Sequence, residues 1–180
     1  MMNNFGEAPV TLSAINPDLK TEKIVNIFEN YGHFGTTGTN TVSYNRNRKK
    51  ASVRYHFKIP KPYTYRSVEH LTDSIHAPLS SLIKQYRQRS VLQAGDEFNL
   101  DSIRTEKTKL WTTLQNNGYF FLQRDHILVQ VDTAVGDKKI DIRVGLDKDL
   151  PNAYFIRQQI GTTAITIDTV RQNAASTARR

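Results

Sequence analysis

Cysteine is absent from the 180 residues. That excludes a disulfide framework, a thiolate zinc site and a thiol nucleophile, while leaving the compartment open. Glycine and proline are modest, at 9 and 6, and with 38% hydrophobic and 23% charged residues they argue against collagen, low-complexity polymer or wholesale disorder. No apolar run approaches the roughly 20 residues of a membrane-spanning helix; the longest, at residues 119–122, is far too short. The opening MMNNFGEAPV lacks the charged and apolar regions of a secretory signal, so any such signal is expected to have been cut away or never to have existed. Acidic residues are the scarcer sign. Lys and Arg total 25 against 17 Asp and Glu, a net charge of +8 that favours nucleic acid, anionic lipid or acidic partners by long-range steering.

What is present is an internal repeat. Thr21 is expected to cap a helix with apolar positions Ile24, Ile27, Phe28 and Tyr31, stopped by Gly32. Asn99 is expected to cap a second, carrying Ile103, Leu110, Trp111 and Leu114 and stopped by Gly118. Aromatics follow each glycine: Phe34 in one copy, Tyr119 and Phe120 in the other. Beyond them the apolar period falls from 3.6 to 2, the mark of strands with one buried face. Val42 and Tyr44, then Ala51, Val53, Tyr55, Phe57 and Ile59, predict a first hairpin about a polar turn at residues 45–50. Ile127, Val129 and Val131, then Ile140, Ile142, Val144 and Leu146, predict a second, turning at residues 136–139.

Each hairpin is followed by a similar stretch: Pro62, Tyr63, Tyr65, Arg66 and Val68 after the first, and Pro151, Tyr154, Ile156, Arg157 and Ile160 after the second. Both read as strands opening a further unit. With a helix over residues 78–86 carrying Leu79, Leu82, Ile83 and Tyr86, the whole unit is strand, helix, helix, strand, strand. The division expected is an N-terminally incomplete unit over residues 1–60, in which Val10 and Leu12 partly replace the opening strand and helix, a complete unit over 61–149, and the opening of another over 150–180, ending in a frayed tail from Gln172.

Signatures of catalysis are missing: no G-x-S-x-G, G-x-G-x-x-G or G-x-x-x-x-G-K-[ST] occurs, and Gly35 to Gly38 leads from helix to strand, the wrong order for a phosphate cradle. Of the histidines, His56 and His126 fall on polar strand faces and are expected to be solvated, and His33 sits in a helix exit. His70 and His76, near Glu69 and Asp73, are too loosely spaced for a metal site to be expected. Asp96, Glu97 and Asp101 read as turn and helix-start residues. No metal and no cofactor are expected. Basic residues gather in two knots: Arg46, Arg48, Lys49, Lys50 and Arg54 about the first hairpin turn, and Lys84, Arg87 and Arg89 after the short helix. With Tyr44 and Tyr55 nearby, the alternative function is a basic module binding single-stranded nucleic acid by phosphate neutralisation and stacking. Both rings lie in the apolar register, and no G-x-x-G joins the two helices, so nucleic acid is not the expected partner.

The unit with Tyr63-Thr-Tyr65-Arg-Ser-Val68, Gly95-Asp96-Glu97-Phe98, Leu100-Asp101, Leu110, Leu114, Asn117-Gly118-Tyr119-Phe120 and Ile140-Asp-Ile142-Arg-Val144 resembles a polypeptide-transport-associated (POTRA) domain of the BamA/TamA family of outer-membrane protein assembly factors. Gly6-Glu7-Ala8-Pro9-Val10 and Asn30-Tyr31-Gly32-His33-Phe34 extend the likeness to the first copy, while Lys107 departs from the expected stripe. The resemblance implies an α+β tandem of three-stranded mixed sheets, each covered on one face by two helices, acting without catalysis at the periplasmic face of the outer membrane. The implied partners are unfolded outer-membrane proteins or assembly subunits, met by β-augmentation, with the parent chain continuing into an outer-membrane β-barrel and this portion not itself spanning a membrane. The edge strand that the family would offer corresponds to Arg124, Asp125, His126, Ile127, Leu128, Val129, Gln130 and Val131.

Overall fold

A computed structural model of the chain describes residues 11–72 and 77–166. The Gly6 to Val10 motif, Asp73, His76 and the tail from Gln172 lie outside the described residues. In chain order the elements are α1 (Leu12–Ile15), α2 (Pro17–Asn30), β1 (Thr37–Tyr44), β2 (Ala51–Lys58), β3 (Thr64–His70), α3 (Ala77–Arg87), α4 (Leu100–Asn116), β4 (Ile127–Asp132) and β5 (Lys139–Leu146). The class is α+β. β3, β5 and β4 form a mixed sheet in that order, β3 parallel and β4 antiparallel to the central β5, and β1 and β2 form a separate antiparallel ribbon.

The middle unit has the expected order of strand, helix, helix, strand, strand. Alternation places Ile140, Ile142, Val144 and Leu146 of β5 inside, where they meet Leu79, Ile83 and Tyr86 of α3 and Ile103, Leu110 and Leu114 of α4 in one core. Helix α4 starts as expected: the Asn99 side-chain oxygen accepts from the N–H groups of Asp101 (2.8 Å) and Ser102 (3.4 Å). The other face of the sheet is polar and carries an ion pair between Arg66 and Asp141, closed by Arg66 Nε at 2.9 Å and by the Ser67 hydroxyl at 2.7 Å.

The first unit is thinner. Among the described residues, every buried hydrophobic residue of the core falls between Tyr65 and Leu146, whereas from Thr11 to Lys58 the buried residues are Thr21, Gly32 and Thr36. A helix over a two-stranded ribbon closes only half a sandwich, so Ile24 and Phe28 are half-buried and Ile27 and Tyr31 are exposed. Leu12 sits in the short α1 and supplies no strand. Helix α2 begins five residues earlier than expected, capped by Asn16 instead of Thr21. Asn16, left-handed at φ 42°, accepts from Leu19 N–H, and Pro17 occupies the first turn. Thr21 lies within the helix, its hydroxyl donating to Pro17 O at 2.8 Å.

The stretch after β5 departs from expectation. Residues 152–155 form a single 3₁₀ turn, and residues 156–166 carry no strand. A strand exists only as a member of a ladder; β3 has β5 beside it, and the residues after Ile156 have no described counterpart.

Candidate functional site

Two edges bound the three-stranded sheet, and they are not equally open. Along β3 the connection preceding α4 closes the first half: Tyr65 N–H donates to Asp96 O (2.8 Å), Gly95 N–H to Tyr65 O (2.7 Å) and Phe98 N–H to Tyr63 O (2.8 Å). The second half borders a groove of about 420 Å³ between Arg66 to His70 and the connection from Arg87 to Ala94.

Along β4 the edge is barer. Asp147 N–H donates to His126 O at 2.9 Å, which makes that opposed pair hydrogen-bonded. Antiparallel pairs alternate, so Leu128, Gln130 and Asp132 point their backbone groups at β5, while Ile127, Val129 and Val131 point theirs outward. Ile127 N–H is taken by Arg124 O. Val129 and Val131 keep both N–H and C=O on the open side, with no backbone partner there among the described residues. The strand is shorter than expected. Arg124, Asp125 and His126 form a 3₁₀ turn ahead of β4, because the His126 ring folds back to accept from Gln123 N–H at 3.1 Å. His126 is half-buried, its ring meeting Tyr154 edge-on at 5.3 Å. Ile127 is buried, Val129 half-buried, and Leu128 and Val131 are exposed, so the edge combines unpaired main chain with apolar side chains.

The basic turn stands apart from this edge. Arg46, Arg48, Lys49 and Lys50 are all exposed on the hairpin between β1 and β2, where Asn45 N–H donates to Lys50 O at 2.9 Å. Tyr44, expected to point inward, is 56% exposed and shares a shallow groove of about 560 Å³ with Arg48, Lys49 and Lys50. Tyr55 remains half-buried, with Lys20 Nζ 5.9 Å from its ring centroid.

One polar cluster escaped the sequence reading. Glu106 is fully buried on α4, one helical turn after Ile103. Its carboxylate accepts from His70 Nε2 (2.8 Å) and Val91 N–H (2.8 Å), and the Tyr86 hydroxyl donates to its main-chain oxygen at 3.3 Å. Burial pushes the carboxyl up, but the hydrogen bonds from His70, Val91 N–H and Ser90 outweigh it and hold Glu106 below the ordinary carboxylate range. His70 therefore turns into the core, away from Glu69, and its Nδ1 has no partner among the described residues. The only sequence signal was a glutamate in step with Ile103 and Leu110. On the open face, the Arg66 hydrogen bond, then that of Ser67, lowers Asp141 to about 2.

No family model and no curated protein matches the chain. Among solved structures it is similar to Haemophilus influenzae BamA POTRA3-5, at 18% identity and a TM-score of 0.44, covering 72% of this chain and 49% of that one. It is also similar to BamA from Haemophilus ducreyi lacking POTRA domains 1-3, at 12% identity and a TM-score of 0.49, covering 79% of this chain and 24% of that one. The chain thus spans about half the length of the first and a quarter of the second. Among the described residues, no helix is long and apolar enough to cross a membrane.

Proposed function

We propose that this chain is a POTRA-like region of an outer-membrane protein assembly or translocation factor, a scaffold at the periplasmic face that receives extended β-barrel clients or accessory subunits. The observation that carries the proposal is the β4 edge, where Val129 and Val131 leave their backbone N–H and C=O groups open beside exposed Leu128. An extended segment docking there gains main-chain hydrogen bonds worth about 0.5–1.5 kcal/mol each, largely regardless of its sequence. Further support comes from the sequence motifs that prompted the resemblance. Gly95 to Phe98 closes the start of β3, Asn117 and Gly118 end α4, and residues 140–144 lie in the central strand. The reading assigns the chain no catalytic step, and places an outer-membrane barrel in the same parent chain.

A photo-crosslinker at Val129 or Val131 tests the proposal in the presence of a peptide corresponding to a single barrel strand. Capture at these positions, lost when proline at Gln130 distorts the edge, is the expected result; equal capture at solvent-facing Lys109 contradicts it. The exposed Tyr44 beside Arg48, Lys49 and Lys50 favours a second reading, single-stranded nucleic-acid binding. Retention on single-stranded RNA at about 0.15 M salt, abolished by reversing the charges at Arg46, Arg48, Lys49 and Lys50, would establish it instead.

A further inference from the structure

The exits of α2 and α4 have the same construction, but only one of them is covered. At the first, Gly32 adopts φ +82° and its carbonyl accepts from Tyr63 N–H at 3.0 Å. At the second, Gly118 adopts φ +92° and its carbonyl accepts from Gln158 N–H at 2.7 Å. Both glycines are buried beneath the returning chain: a Cβ on Gly32 would lie 2.9 Å from Phe98 Cβ, and one on Gly118 would lie 2.6 Å from Gln158 O. Gln158 thus occupies the place of Tyr63.

Two residues beyond each glycine stands a phenylalanine. Phe34 is half-buried, its ring centroid 5.3 Å from Tyr63 and 5.0 Å from Phe98, the residue just ahead of the α4 cap. Phe120 is 56% exposed, and Ile156 and Ile160, either side of Gln158, are 53% and 83% exposed. The second exit has its glycine, its returning chain and its phenylalanine, and among the described residues lacks a counterpart of Phe98.

We propose that Phe120, Ile156 and Ile160 form the docking surface for another unit of this fold, carried on the C-terminal side of Gln158 and laying an apolar side chain from the connection before its long helix onto Phe120. The bond from Gln158 to Gly118 fixes the direction of entry, as Tyr63 to Gly32 does for β3, which favours a unit in the same chain. A second copy of this chain fits poorly, because its Phe98 already lies against its own Phe34. The inference rests on the repeat within the proposed function and is independent of client binding.

The absence of cysteine makes thiol labelling a clean test. In the present chain, Phe120→Cys is expected to react with a soluble disulfide reagent at least ten-fold faster than Phe34→Cys. Residues 1–158 are then joined to a duplicate of residues 64–150, so that Gln158 leads directly into a second β3. In this tandem, Phe120→Cys is expected to slow at least ten-fold, and Phe98→Ala in the duplicate to restore the rate. An unchanged Phe120→Cys rate with a cooperatively folded duplicate overturns the docking and leaves the repeat intact. A duplicate that fails to fold at this position, or protection that arises only with dimerisation, also overturns it. A Phe34→Cys variant as reactive as Phe120→Cys in the present chain would remove the covered junction on which the repeat reading stands.

Discussion

Replacing Glu106 with alanine is expected to destabilise the chain by about 3–5 kcal/mol at neutral pH, the usual cost of leaving one member of a buried pair without the other. The carboxylate is fully buried and holds His70 Nε2 and Val91 N–H, each at 2.8 Å, so its removal strands two donors and opens a cavity between β3, α3 and α4. Glu106→Gln keeps the volume but loses the charge and one acceptor oxygen, for an expected cost of about 1.5–3 kcal/mol. Replacing both His70 and Glu106 by leucine should cost less than Glu106→Ala alone, since neither polar group is then left behind. Urea unfolding followed by far-UV circular dichroism and by the single tryptophan, Trp111, whose Nε1–H donates to Leu122 O at 3.1 Å, reads these differences. Acid provides a second reading. Because Glu106 is held below its ordinary value of 4.5, its stabilisation is full above that pH and is lost as pH falls through the folded value. The gap between wild type and Glu106→Gln should therefore close on acidification. A Glu106→Ala variant within about 1 kcal/mol of wild type at pH 7 would refute the reasoning.

Three other outcomes follow from single contacts. Asn99→Ala removes the α4 cap and should cost about 0.5–2 kcal/mol in the same urea assay, with Asn99→Asp close to wild type. Gly118→Ala forces a side chain into a left-handed position against Gln158 O. It should cost at least about 1–2 kcal/mol and raise amide exchange at Gln158, whereas Gly136→Ala, at φ +85° with open space around it, bears the backbone cost alone. The Asp141 carboxyl should titrate near 2 in a carbon-detected pH series and move up toward 3.8 in Arg66→Ala.

The middle unit was legible because its signals agree with one another: alternation in β5, a capped stripe in α4 and a glycine at its exit all point to one buried face. The misreadings share a cause, which is that local pattern cannot supply a partner. Residues 156–160 have the composition of a strand and no ladder to join. Arg124 to His126 were assigned to the edge strand by the family resemblance, yet the His126 side chain bonds Gln123 N–H and turns the chain before the strand starts. Helix α2 starts at Asn16-Pro17, with Asn16 accepting from Leu19 N–H and proline in the first turn, and Thr21 lies inside it. Glu106 was hidden by the rule that charged residues face water, and its exception depends on His70, 36 residues away.

Amide hydrogen exchange along β4 tests the role of this edge most directly. In the free chain, Leu128 and Gln130, paired to β5, are expected to be protected, while Val129 and Val131 exchange fast. On adding an extended barrel-strand peptide, Val129 and Val131 should slow at least ten-fold, with Leu128 and Gln130 nearly unchanged. Binding of that peptide with Val129 and Val131 still exchanging at their free rates would contradict the account.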